Sequence, residues 1–440
     1  MEMNAPAKSY VFALSLLAIL GLLNFTGFSQ SDCDGYRYRY TGAFGGFDVQ
    51  SNVVYGENIL NFTPVDLDVD VYTPTGDTEA NRPLVIIAHG GFFLFGSNDG
   101  ADVVPLCEDL ASMGYVVASM SYRLIPQQVL PTAFASGTLP DEFVKAVWRG
   151  VHDSRAAVRY FRKSAEEMGN PFGVDTNRIY LGGVSAGGFI ALHHAYVDMQ
   201  SEIPAEIDVT EEGMGGGLEG LSGNTGYSSE VNGVFNIAGA LQTTDFLNAG
   251  TNEPLFSIHG TEDGTVPYGE GSIFVSLPDI PGLEVELIDV DGSSVVHEAA
   301  EALGMDNCLI TVEGAGHVPH ILNPENYDLT LSALAGKLGE WACEDYVQVC
   351  GGYDYTAETG ISDVELSDEG VKVFPNPTSS SHGVQIAFPS TIQWQVLNVF
   401  GQIVGEGMSE PNSQVHLTEL SPGWYVVQTL KSRVPFVVAN

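Results

Sequence analysis

Two kinds of apolar pattern alternate along most of the chain. The first is continuous: Leu84–His89 ("LVIIAH"), Tyr115–Ser121 ("YVVASMS"), Arg178–Val184 ("RIYLGGV"), Val234–Ala240 ("VFNIAGA"), Leu255–His259 ("LFSIH") and Leu309–Glu313 ("LITVE"). A strand that is apolar on both faces must be covered on both, so these runs predict a central parallel sheet. The second kind is helical: Ala101–Gly114, the long amphipathic stretch Asp141–Gly169, and Tyr327–Tyr346. Strands alternating with helices predict an α/β domain with a mostly parallel, doubly wound sheet. Ahead of it, Leu67–Tyr72 alternates with period two, Leu67, Val69 and Val71 facing one way and Asp66, Asp68 and Asp70 the other. That suits a half-exposed antiparallel edge strand. A solvated face accounts for the acid row better than calcium, because the glycine of a calcium-binding loop is missing.

The rhythm fails in three places. Residues 199–230 are Gly-rich and acidic, and read equally as a lid or pocket wall and as a mobile surface loop. Every charged residue from Glu344 to Gly370 is acidic, so 346–370 reads as a linker. From 371 to 440 short strand-like runs such as "VQIAF" and "GWYVVQTL" alternate with turn residues, predicting a small all-β sandwich. At the N-terminus, Lys8, the apolar run Val11–Leu23 and the small residues Gly27 and Ser29 form the pattern of a cleaved signal peptide over residues 1–30. That run is short for a stable membrane span. The catalytic unit is therefore expected within 31–345.

Charge narrows the partners. The 440 residues carry 16 Lys+Arg against 56 Asp+Glu, a formal net charge of −40. Such a surface repels nucleic acid and anionic membranes and favours solubility. Of the five cysteines (Cys33, Cys107, Cys308, Cys343, Cys350), an odd number, at least one is left unpaired if the exported chain is oxidised. No C-x-x-C spacing points to zinc. Cys308, at the head of an apolar run, and Cys343, late in a helical pattern, are the first candidates for a pair.

The chemistry centres on "RIYLGGVSAGG". In a chain with 51 glycines a G-x-S-x-G match decides little by itself. Its context decides more: a buried strand precedes Ser185 and the helical "GGFIALHHAYVDM" follows it. A nucleophile elbow needs that strand-to-helix turn, with Gly183 and Gly187 keeping Cβ atoms out of the close packing. The helix N-terminus also turns free amides toward the serine. A serine needs a base, and the base an orienting acid. Asp263 and His317 each follow a later apolar strand, in the order Ser, Asp, His and at the strand ends where open α/β sheets bind ligands. Glu262 and His320 are competitors. His297, His193 and His194 read as surface or packing residues. Gly90 and Gly91, after "VIIAH", and the amide of Ala186 are the candidate oxyanion donors, with His89 bracing the loop.

With these residues in view, the chain resembles the α/β-hydrolase carboxylesterases, especially bacterial relatives of acetylxylan and feruloyl esterases and of the hormone-sensitive lipase group. The likeness spans roughly residues 50–345 and rests on "LDVDVYTP", "RPLVIIAHGGFFLFGS", "GYVVASMSYRL", "NRIYLGGVSAGG", "IHGTEDGTVPY" and "GAGH". It implies Ser185 as nucleophile, Asp263 as acid, His317 as base, and Gly90, Gly91 and Ala186 around the anion hole, with no cofactor and no metal. Many relatives have a third glycine where this chain has Phe92. The tail, through "VFPNPTSS", "WQVLNVFGQIV" and "LTELSPGWYVVQTL", resembles the type IX secretion sorting domain of Bacteroidetes. That implies the type IX machinery as a partner and a secreted or outer-membrane-surface location. An adhesive or carbohydrate-binding β-domain is the alternative for the tail. The expectation for the whole is a secreted serine esterase acting on a small-molecule or polysaccharide-linked ester. A serine peptidase of the same fold and a catalytically inactive surface binding protein are the rivals.

Overall fold

The computed structural model describes residues 43–343 apart from 249, 251–252, 277–283 and 323. It also describes Cys33, residues 37–39 and 41, Cys350, and the strands between 372 and 439 with a few adjoining residues. The expected signal peptide and nearly all of the acidic linker lie outside the described residues. Two long antiparallel strands lead, β1 (Phe47–Leu60) and β2 (Thr63–Pro74), followed by β3 (Arg82–Ala88), α1 (Val104–Ser112) and β4 (Val116–Met120). A short α2 (Leu130–Ser136) and a long α3 (Leu139–Glu167) precede β5 (Val174–Val184), which turns at Ser185 into α4 (Ala186–Tyr196). Then come β6 (Val234–Ile237), β7 (Ala240–Leu241), β8 (Leu255–Gly260), β9 (Glu270–Ser276), β10 (Glu284–Gly292) and α5 (Ser293–Leu303). β11 (Asn307–Val312), α6 (Pro319–Leu322) and α7 (Pro324–Ala342) close the unit.

The main sheet has eight strands in the order β1-β2-β4-β3-β5-β6-β8-β11. From β4 to β11 every pair is parallel, while β2 is antiparallel to both β1 and β4. β3 shows why its sequence is apolar throughout. Leu84, Ile86 and Ala88 enter a core with Phe143 and Trp148 of α3 and Phe189 of α4. Val85 and Ile87 enter a second core with Leu106 and Leu110 of α1 and Leu334 and Leu338 of α7. Burying each such side chain contributes about 1.5–3 kcal/mol, so neither face of the strand tolerates polar residues. A separate three-stranded sheet, β7-β10-β9, flanks this unit.

Three local expectations change. β2 is not the edge strand, because β1 pairs along its whole length. Its acids are correspondingly engaged: Asp70 accepts the amide of Asn52 at 2.8 Å and Asp68 bonds the hydroxyl of Ser121. The run Val234–Ala240 splits into β6 and β7, with Ala238 at φ 54° between them. The disulfides are Cys33–Cys343 and Cys308–Cys350, not Cys308–Cys343. Cys343 follows the end of α7 and bonds Cys33 of the N-terminal segment, while Cys308 lies on β11 and bonds Cys350. Cys107 is free and buried.

The insert after α4 has almost no regular structure but many anchors. Arg123 pairs with Asp153 of α3 at 2.8 Å, both side chains fully buried, and donates to the carbonyls of Gly213 and Ile59. Arg155 and Arg159 of α3 donate to the carbonyls of Leu218 and Gly223, and His152 bonds that of Gly217. The insert is thus held along α3 by its own backbone carbonyls. In the tail, one sheet of Lys372–Phe374, Val384–Phe388 and Ser413–Leu417 and another of Thr378–Ser379, Arg433–Ala439, Gly423–Gln428, Gln393–Asn398 and Ile403–Met408 have a core of their own that includes Val384, Phe388, Trp394 and Val427.

Candidate active site

Four loops converge at the carboxyl ends of the parallel strands. Ser185 stands between β5 and α4 at φ 53° and ψ −112°, a region that L-residues avoid. Close packing forces the turn. A Cβ on Gly187 would lie 2.0 Å from the carbonyl oxygen of Ala88, and one on Gly183 would lie 2.4 Å from the carbonyl carbon of Gly187. The Ser185 amide donates to Ile237 O at 2.7 Å, tying the elbow to β6.

Ser185 Oγ lies 2.8 Å from His317 Nε2, and His317 Nδ1 lies 2.7 Å from Asp263 Oδ2. The distances make a continuous chain in which the serine hydroxyl donates to Nε2 and Nδ1–H donates to the carboxylate. The Asp263 side chain is fully buried and that of His317 is 21% exposed, so the imidazole is partly open to solvent while the carboxylate is not. Burial alone raises the pKa of Asp263. Hydrogen bonds from His259 and His317, the charge of His317 and the amide of Val266 outweigh burial and hold the carboxyl well below the usual carboxylate range. Asp263 is therefore ionised whenever the imidazole needs a counter-charge.

The loop after β3 supplies the remaining polar groups. Gly91 is at φ 116°, and a Cβ there would lie 2.0 Å from Phe95 O. Phe92 and Phe93 follow in the left-handed region at φ 58°. Among the described residues, no hydrogen bond engages the amides of Gly91 and Phe92 in this loop, or that of Ala186 at the first position of α4. The expectation for Gly90 needs correction. Its amide donates to Asp102 Oδ2 at 2.7 Å, so it anchors the loop and is not open to a substrate oxygen. Phe92, in place of the third glycine, packs its ring tilted against that of Phe143, with centroids 5.6 Å apart.

The other candidates separate cleanly. His89 is buried, stacks on Tyr122 at 4.4 Å and bonds the Gly90 carbonyl, so it braces the loop. His320 is committed to the carbonyl of Asp102 and Glu262 is exposed. His193 bonds the carbonyl of Phe189 and His194 that of Ser229, both buried. His297 lies on α5, 3.7 Å from Glu301. Two neighbours escaped the reading of the sequence. Asp102 holds the Gly90 amide, and His259 shares the Asp263 carboxylate. The only signal for His259 was its place at the end of an apolar strand four residues before Asp263. Among the described residues no cluster of His, Cys, Asp and Glu has the form of a metal site.

Comparison with known proteins agrees with this architecture. Residues 85–210, from β3 through the elbow and into the insert, match the family described as alpha/beta hydrolase fold. The chain has the α/β-hydrolase fold. Residues 372–434 match the secretion system C-terminal sorting domain. The hydrolase domain is similar to arylacetamide deacetylase-like 2 of Homo sapiens, 33% identical over 34% of this chain and 32% of that one. It is also similar to probable carboxylesterase 5 of Arabidopsis thaliana, 25% identical over 62% of this chain and 83% of that protein. The chain thus spans about a third of the length of the human relative. Among solved structures, the apo form of Thermogutta terrifontis esterase 2 aligns with 66% of this chain and 93% of its own, at 22% identity and a TM-score of 0.42. No helix among the described residues is long and apolar enough to cross a membrane.

Proposed function

We propose that this protein is an exported serine esterase that cleaves carboxylic esters through an acyl-enzyme. The observation that carries the reading is the 2.8 Å approach of Ser185 Oγ to His317 Nε2 on a strained elbow, with buried Asp263 behind the imidazole. Ser185 attacks the ester carbonyl as His317 takes its proton. Asp263 keeps the imidazole in the tautomer that accepts at Nε2 and stabilises its cation. The oxyanion is held by the amides of Gly91 and Ala186, which lack other partners, with Phe92 as a further donor on the same loop. His317 then protonates the leaving alcohol, and water, activated by the same base, releases the acid. The carboxylesterase name of the Arabidopsis thaliana relative supports an ester. The tail's likeness to a sorting domain supports export, read here as type IX secretion.

The test is Ser185→Ala assayed on a short-chain nitrophenyl ester. The expected outcome is a loss of at least about 10⁴-fold in kcat, as for other triad serines, with the melting temperature held. Wild-type turnover by that variant ends the reading. Faster cleavage of an amide than of the matched ester would favour the peptidase alternative.

A further inference from the structure

Behind the triad lies a second set of side chains that the esterase mechanism does not use. His259, near the carboxyl end of β8, is fully buried and presents Nε2 to Asp263 Oδ2 at 3.1 Å and to Val266 O at 3.1 Å. Both partners are acceptors, so the proton belongs on Nε2. Nδ1 is then an acceptor, and the Ser293 hydroxyl, at the start of α5, meets it at 2.7 Å. Ser293 Oγ in turn accepts from Asn236 Nδ2 at 3.0 Å, and Asn236 Oδ1 accepts the Gly239 amide at 2.8 Å. Every donor in this chain finds an acceptor, from the backbone after β6 to the catalytic carboxylate. All of Asn236, Ser293 and His259 are buried.

The geometry points to His259 as a positioning residue that fixes the Asp263 carboxylate for His317, its own tautomer set by Ser293 and Asn236; this rests on the triad reading above. Oδ1 is already held by the amides of Thr265 at 2.8 Å and Val266 at 2.9 Å. Those two bonds leave the catalytic oxygen, Oδ2, with only the imidazole it is meant to orient. The 3.1 Å bond from His259 gives that oxygen a fixed protein donor, so the carboxylate does not turn about its Cβ–Cγ bond when His317 moves between serine and leaving group. A misplaced orienting group costs on the order of 10²-fold in rate. Because buried networks act as units, each link contributes to the orientation of the last.

The experiment compares His259→Phe, His259→Gln and Ser293→Ala in the full chain on a nitrophenyl ester. Phe fills the space without a donor; the Gln amide reaches the position of Nε2 and restores one. His259→Phe is expected to lower kcat about 10–100-fold with KM within about twofold, and to weaken or abolish the low-field proton resonance of His317 Nδ1–H. His259→Gln is expected to recover most of the rate and the resonance. Ser293→Ala is expected to lose about tenfold. A Phe variant with wild-type kcat overturns the proposal, as does a Gln variant as impaired as Phe when both melt like wild type. If Phe does not fold, Gln and Ser293→Ala carry the test, and full activity with an unchanged resonance in Ser293→Ala overturns it. Ser185→Ala run alongside separates the two levels: turnover there defeats the triad reading itself, not the placing of its acid.

Discussion

Ser185 is held in a backbone conformation that costs of order 1–3 kcal/mol, and its neighbours are what keep it there. Gly187 is the tightest of them. Gly187→Ala would drive a methyl group to 2.0 Å from Ala88 O and 3.0 Å from His89 O, backbone atoms where β3 leads into the loop of Gly90 and Gly91. The expected outcome is a loss of about 1–3 kcal/mol in chemical denaturation, with at least tenfold lower kcat in whatever folds. Buried histidines give a second prediction at this scale. Burial holds His152 and His193 at about 4 and His194 at about 3, against 6.5 when unfolded. Between those values the unfolded chain binds more protons than the folded one, so stability falls as pH drops below 6.5. Asp263 works in the same direction but at lower pH. Its folded pKa is depressed, so its contribution is intact above the unfolded carboxylate value near 4. Melting temperatures measured from pH 7 to pH 5 should therefore decline through the histidines, and His194→Gln should flatten the slope whatever it does to the absolute value.

The insert is an element without secondary structure whose order comes from another element. Arg155 and Arg159 of α3, and Arg123 after β4, reach backbone carbonyls of the insert that have no strand or helix partner. The most enclosed contact is Arg123–Asp153, with both side chains fully buried. Removing one partner leaves an uncompensated buried charge, so Asp153→Ala should cost about 3–5 kcal/mol. Hydrogen exchange should localise the change, with protection lost in 213–223 well before it is lost in β5 or α4. A uniform loss across the sheet would instead mean that the pair supports the core and not the insert.

Taken as a whole molecule, the hydrolase domain is closed by bonds between its two ends. Cys33–Cys343 spans 310 residues and Cys308–Cys350 spans 42. The chain-entropy relation assigns about 4 kcal/mol to a loop of the shorter length, so reduction should lower the melting temperature of the hydrolase transition by many degrees. A thiol count checks the pairing: one reactive thiol in denaturant without reductant, from Cys107, and five after reduction. Two or more in the first measurement would contradict the pairing. The Cys308–Cys350 bond joins Cys350 to β11 of the main sheet.

Much of this protein could be read along the chain because burial on both faces writes itself into sequence. The six apolar runs are the six parallel strands, and the amphipathic stretches are α1, α3 and α7, since a doubly covered strand and a half-covered helix admit few other patterns. Ser185, Asp263 and His317, which the fold brings within hydrogen-bonding distance of one another, each follow such a strand. β1 was not legible: its polar outer face and irregular register carry no clean period. The disulfide partners, the commitment of the Gly90 amide to Asp102 and the place of His259 behind Asp263 were not legible either. Each depends on which chain ends and loop atoms meet across the sheet, and such meetings follow from three-dimensional packing, leaving no local periodicity to detect.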